Sequence, residues 1–196
     1  MKIGILAVQG AFIEHKKRLE ELGAECFEIR NKSDLIHEFD GLVLPGGEST
    51  VQGKLLKELE LFDQLQERIK SGLPVLATCA GLILLAENLK NDSVRHFATL
   101  PVTVVRNAFG RQLGSFYIEQ EFGTLGKVPM TFIRAPVIET VGKSVEILSV
   151  VCDSENAKEN NKKIVAVRFK NQLAMSFHPE LNSDNKIYEY FLDMLE

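Results

Sequence analysis

The sequence predicts an α/β protein with a mostly parallel central sheet flanked by helices and additional antiparallel strands in its second half. Short β-rich runs alternate with longer helical patterns through the first half, which is the signature of βαβ units. Beyond residue 98 the pattern changes to strand after strand, joined by Gly, Asn or Pro turns. At 196 residues, 45% of them hydrophobic, the chain is long enough to bury a substantial core as one domain spanning 1–196. It shows no linker, internal repeat or low-complexity tract.

The elements follow in order. "KIGILAV" reads as a buried strand, and "AFIEHKKRLEEL" carries apolar residues near helical spacing, closed by Gly23 where a glycine past the helix end is expected. "ECFEIR" and "GLVLP" are strands two and three, separated by "SDLIHEF", whose Ser33 or Asp34 can cap one or two helical turns. "LLKELELFDQLQERIKSG" reads as one helical stretch ending at Gly72, after which Pro74 opens the strand "PVLAT". The apolar run "GLILLAENL" behind it reads as a buried helix. "TLPVTVV", "GSFYIEQEF", "MTFIRAPVI", "VEILSVV", "KIVAVRF" and "QLAMSF" read as strands. "SDNKIYEYFLDMLE" is a closing helix with Ser183 as its cap and Ile187, Tyr190, Phe191 and Leu195 on its packed side. The polar segment 153–163 is expected to be an exposed loop.

Composition narrows the function. Lys and Arg total 23 against 27 Asp and Glu, a net charge of −4, and no basic cluster follows a phosphate backbone, so nucleic acid is not an expected partner. No run approaches a membrane span, and the N-terminus is too short in apolar residues for a signal peptide, which points to the cytoplasm. The three cysteines, Cys26, Cys79 and Cys152, form no CxxC pair. Cys26 and Cys152 sit in strand-like runs, where a thiol behaves as a small core hydrophobe.

Cys79 stands apart because it lies where the strand "PVLAT" meets the following helix. A nucleophile at a sharp strand-to-helix turn is pushed out at the carboxyl edge of the sheet, facing a helix N-terminus that favours a thiolate. Such a turn needs small neighbours, and Ala77 and Gly81 provide them. For an isolated cysteine, a buried core thiol is the plainer alternative. A thiol nucleophile also needs a base. His15, His37 and His96 lie in helical or polar stretches and are expected to face solvent. His178 ends "LAMSF" and precedes Pro179, which keeps it extended, so Glu180 can point the same way and orient the imidazole. In "LVLPGGEST", Gly46 and Gly47 expose backbone N–H groups near the carboxyl end of the Cys79 strand, with Ser49 as a helix cap. Together with the Ala80 amide they could hold an oxyanion.

Taken jointly, "PGGEST", "TCAGL" and "FHPEL" resemble the class I, triad-type glutamine amidotransferases. With "VQGAFIEH", "RNAFGRQLGSF" and "FIRAP", the resemblance covers nearly the whole chain and narrows to the family of glutaminase subunits of pyridoxal 5′-phosphate synthase. It implies a three-layer, flavodoxin-like fold and hydrolysis of L-glutamine to glutamate and ammonia, with no metal or cofactor. Cys79 would be the nucleophile, His178 the base and acid, and Glu180 its orienting residue. Gly47, Glu48, Ser49, Arg106, Ile133 and Arg134 would bind glutamine, and Gly47 and Ala80 would form the oxyanion hole. Gln9 and Gly10 would lie at the partner interface or beside the oxyanion loop. The implied partner is a (β/α)8-barrel synthase subunit in a hetero-oligomer with twelve copies of each chain. It makes pyridoxal 5′-phosphate from ribose 5-phosphate and glyceraldehyde 3-phosphate. The alternatives are a glutaminase serving another synthase, such as imidazole glycerol phosphate synthase, and a non-catalytic synthase-binding protein. Ala77, where many amidotransferases carry glycine, departs from the pattern.

Overall fold

The computed structural model describes residues 1–108, 115–152 and 162–196. The chain runs β1 (Lys2–Leu6), α1 (Phe12–Glu21), β2 (Glu25–Ile29), a 3-10 turn (Lys32–Ile36), β3 (Gly41–Leu44), α2 (Ser49–Glu58), α3 (Phe62–Lys70), β4 (Val75–Thr78) and α4 (Ala80–Leu85). It continues through β5 (Ala86–Leu89), β6 (Leu100–Val105), β7 (Ser115–Glu121), β8 (Lys127–Ile133), β9 (Val137–Val141), β10 (Glu146–Cys152), β11 (Lys162–Phe169), β12 (Gln172–Met175), a 3-10 turn (Pro179–Leu181) and α5 (Lys186–Asp193). Residues 153–161 of the expected 153–163 loop lie outside the described residues.

The main sheet has the order β2-β1-β3-β4-β12-β11-β9-β6-β5, with β10 paired to β11. Its first five strands are parallel to one another, and β11, β9 and β6 extend it antiparallel before β5 runs parallel to β6. Both faces are covered, which is why every residue of β3, β4 and β12 is buried and these strands read as near-continuous apolar runs, interrupted only by the buried polar Thr78 and Gln172. Helices α2, α3 and α4 pack Leu56, Leu65, Ile69 and Leu82 on one face. On the other face lie Leu19 of α1 and Ile187, Tyr188 and Phe191 of α5, beside the β7–β8 ribbon, which contributes Val128, Met130 and Phe132. The fold is the α/β architecture with antiparallel additions that the sequence implies.

Several local expectations change. The single helix over 55–72 is two, because Glu60 takes φ 55° and ends α2. The Glu60 and Leu61 N–H groups turn back onto the Lys57 and Leu56 carbonyls, and Leu61 is carried into the core. The helix after Cys79 is only six residues long, Ala80–Leu85. The carbonyls of Leu84 and Leu85 take the Phe97 and Thr99 N–H groups, which frees Ala86–Leu89 to pair with β6. "MTFIRAPVI" breaks at Arg134, whose φ of 43° sends the chain from the ribbon into the main sheet. The cap of the first 3-10 turn is Asn31, which forms a capping box with Asp34. Ser49 is the first residue of α2 and not its cap, and α5 begins after Asn185, with Asp184 rather than Ser183 accepting the Lys186 N–H. Cys152 is exposed, because strand alternation buries Val151 beside it and turns the thiol outward.

Candidate active site

Four adjacent parallel strands, β1, β3, β4 and β12, end at one edge of the sheet. They deliver Gln9, the Gly46-Gly47 turn, Cys79 and His178 to that edge, where ligands bind in open α/β sheets. A cavity of ≈ 420 Å³ opens there, and Gln9, Gly47, Glu48, Ser49, Cys79, Arg106, Ile133, Arg134 and His178 are among its lining residues.

Cys79 adopts φ 47° and ψ −99°, a conformation sparsely populated by non-glycine residues, between the end of β4 and the start of α4. Backbone at such a turn must pass close to its neighbours. A Cβ on Gly81 would lie 2.1 Å from the Leu44 carbonyl oxygen, so glycine is required there. Ala77 is fully buried in β4, in register with Leu44 of β3 and Ala174 of β12.

His178 is held from three directions. Its N–H donates to the Thr131 carbonyl at 2.8 Å, which ties it to β8. Its Nδ1 lies 2.6 Å from Glu180 Oε1, and the ring is within hydrogen-bonding reach of Cys79, which leaves Nε2 for the sulfur. Glu180 arrives by a route other than an extended chain: Pro179 starts a 3-10 turn, Pro179–Leu181, and the turn curls the carboxylate back onto the ring. Burial lowers the basicity of His178, but hydrogen bonds to Cys79 and Glu180 and the charges of both outweigh it and push the pKa up to about 10. Burial likewise raises the Glu180 carboxyl, and His15 and His178 together hold it below the usual carboxylate range.

The turn after β3 is fixed by Gln9, which the resemblance pointed to, and by Thr78 and Gln52, which the sequence did not single out. Thr78 Oγ1 accepts the Gly46 N–H at 3.0 Å, and the Gly46 carbonyl accepts the Ala11 N–H at 3.1 Å. Gln9 Oε1 accepts the Glu48 N–H at 2.8 Å, which places Gln9 beside the expected oxyanion loop. Gln52 donates from Nε2 to the Gln9 and Pro45 carbonyls. Ala80 opens α4, so its N–H has no acceptor within the helix. Gly46 sits against the pair itself: a Cβ there would lie 2.4 Å from His178 Cε1 and 3.4 Å from Cys79 Cβ.

Of the expected glutamine-binding residues, Gly47, Glu48, Ser49, Arg106, Ile133 and Arg134 all border the cavity. Arg106 is clasped between Asp92 Oδ2 at 3.3 Å and Thr50 Oγ1 at 3.1 Å. Arg134 reaches Glu48 with Nη2 3.6 Å from Oε1. Ala80 is buried beside the cavity and is not part of its lining.

Two histidines expected at the surface are buried. His96 packs against Gly53 of α2. His15 is fully buried behind Glu180, and burial lowers its basicity. The signal was available for His15, since Leu19 is four residues on and lies on the same face of α1. His37 is exposed, as expected.

Residues 5–196 match the SNO glutamine amidotransferase family. The chain belongs to that family. It is 64% identical, over 195 residues that cover 100% of this chain and 94% of the relative, to "Pyridoxal 5′-phosphate synthase subunit PdxT" of Desulfitobacterium hafniense (strain DSM 10664 / DCB-2). A protein of the same name from Haemophilus influenzae (strain PittEE) is 51% identical, with 99% of this chain and 98% of the relative covered. Among solved structures, "Crystal structure of glutamine amidotransferase" superimposes with a TM-score of 0.88 at 39% identity, covering 98% of each chain. A more distant match, "Structure of PurLQS from Thermotoga maritima", has a TM-score of 0.72 at 13% identity over 100% of this chain and 99% of that one, and shares the fold. Within the SNO family chain described here, no helix among the described residues is long and apolar enough to cross a membrane.

Proposed function

We propose that this chain is the glutaminase subunit of a pyridoxal 5′-phosphate synthase and acts as one domain in the cytoplasm. The observation that carries the reading is the 2.6 Å contact of His178 with Glu180, with Cys79 on the ring's other side, at a cavity edge in a chain 64% identical to such a subunit.

The chemistry is acyl transfer. Cys79 Sγ, as thiolate, attacks the side-chain amide carbon of L-glutamine, and the oxyanion is held by the backbone N–H groups of Gly47 and Ala80. His178, as imidazolium, gives its proton to the departing nitrogen, the C–N bond breaks and ammonia leaves. The now neutral imidazole takes a proton from water, the hydroxide attacks the γ-glutamyl thioester, and glutamate departs as the thiolate is restored. Glu180 keeps the ring oriented throughout. Arg106 supplies a cation for the substrate carboxylate. Gly47, Glu48, Ser49, Ile133 and Arg134 position the rest of the molecule. Ammonia then passes to a (β/α)8-barrel synthase subunit, in an assembly of twelve copies of each chain, which combines it with ribose 5-phosphate and glyceraldehyde 3-phosphate.

The test is ammonia release from glutamine, with and without a matching synthase subunit, for the native chain and for Cys79→Ala. Stimulated release by the native chain alone is expected. Equal release by both chains would overturn the nucleophile assignment, and no response to the synthase would overturn the choice of partner.

A further inference from the structure

Glu180 is a buried carboxylate whose two oxygens are treated unequally. Oε1 faces His178 at 2.6 Å, whereas Oε2 has no hydrogen-bond partner of good geometry among the described residues and has His15 Nε2 3.4 Å away. Both side chains are completely shielded from solvent. A carboxylate without water needs donors at both oxygens to stay ionised.

His15 is itself held in one orientation. Tyr188 of α5 places its hydroxyl 2.8 Å from His15 Nδ1, and the two rings meet edge to face with centroids 5.9 Å apart. The tyrosine hydroxyl is the donor in that contact when the imidazole is neutral and protonated on Nε2. That tautomer puts an N–H within hydrogen-bonding distance of Thr78 Oγ1 at 3.1 Å, with Glu180 Oε2 beside it 3.4 Å from the same nitrogen. Thr78 in turn accepts the Gly46 N–H.

We infer that His15 is a positioning residue for the triad: its Nε2–H lies against the far oxygen of Glu180, and donation from the Tyr188 hydroxyl to Nδ1 favours the tautomer that places it there. The inference rests on the proposed Cys79-His178-Glu180 chemistry. It joins α1 and α5, which supply none of the cavity's lining residues, to the group that orients His178. The titratable groups facing the carboxylate are His15 from α1 and His178 beyond β12, with Glu14 and Arg18 of α1 acting more remotely through His15 and Tyr188.

The test uses the native chain with its synthase subunit and compares His15→Leu, His15→Gln and Tyr188→Phe for glutaminase kinetics and melting temperature. His15→Leu should lower kcat about tenfold or more, the scale of one lost hydrogen bond to a charged group, with KM for glutamine little changed. It should also move the acid limb of the kcat profile to higher pH, because Glu180 then ionises less readily. His15→Gln, whose amide can place an N–H near the lost Nε2–H, should recover most of kcat and restore the limb. Tyr188→Phe should show the same two changes in weaker form. Variants that melt earlier while keeping the native kcat and pH profile would overturn the inference, as would a His15→Gln no better than His15→Leu. Cys79→Ala, run alongside, separates the two levels: activity surviving in it would sink the triad itself, whereas an inactive Cys79→Ala beside unaffected His15 variants would sink only the role of His15.

Discussion

Thr78 and Gly46 are joined by a 3.0 Å hydrogen bond from the Gly46 N–H to Thr78 Oγ1. It links the residue before the nucleophile to the turn expected to hold the oxyanion, across neighbouring strands. Both groups are buried, so Thr78→Val, nearly isosteric, leaves a backbone donor with no acceptor. The expected loss of stability is about 1–3 kcal/mol. Urea unfolding of the two proteins measures it, and an unchanged midpoint would refute the account.

Gly46 packs against the His178 ring at a distance that admits no side chain. In Gly46→Ala the new methyl group would meet His178 Cε1 at 2.4 Å, and the imidazole must move off the sulfur. Misplacement on the scale of 1 Å costs about a hundredfold in rate. A kcat reduced by roughly that factor, with circular dichroism unchanged, is the expected result for ammonia release.

Arg106 borders the cavity while Asp92 and Thr50 hold its guanidinium. Replacement by Gln removes the charge that would meet the substrate carboxylate. KM for glutamine should rise about 10- to 100-fold, from loss of a charged hydrogen bond, with kcat far less affected. A fall confined to kcat would place Arg106 in the chemistry instead.

The His178 pKa, raised from 6.5 to about 10, carries a stability consequence. A group that binds its proton more tightly when folded stabilises the fold fully below its unfolded pKa, here 6.5, and loses that contribution as pH rises through 10. The melting-temperature advantage of the native chain over His178→Gln should therefore be greatest near pH 6 and shrink steadily toward pH 10. An advantage that grew with pH would contradict the ion pairing described for the ring.

The strand-to-helix junction at Cys79 was legible because its requirements are local: an apolar strand, a small residue on each side and a helix start. His178 and Glu180 were legible as a pair, although the reason they meet was not. Pro179 signalled an extended chain by its effect on His178, yet its fixed φ also suits the first position of a 3-10 turn, and that second preference brings Glu180 round. The helix boundary at Glu60 escaped notice because the apolar spacing continues through Leu59, Leu61 and Leu65, and only the tertiary demand for Leu61 in the core selects the break. His15 reads as solvent-facing because its neighbours Glu14, Lys16 and Lys17 are charged, and polarity in the window masks the helical phase it shares with Leu19. Thr78, Gln52 and Tyr188 act through hydrogen bonds between segments far apart in the chain, which no local window contains.

The position of β12 in the sheet has a bearing on how the molecule acquires activity. It is the last strand of the chain to be made, yet it lies between β4 and β11 in the interior of the sheet. Its partner β4 lies in the first half of the chain, so the contact between Cys79 and His178 joins residues 99 positions apart and carries the entropy cost of closing a long loop. The cavity edge where Cys79 meets His178 is therefore complete only when the last strand of the chain pairs with one formed in its first half.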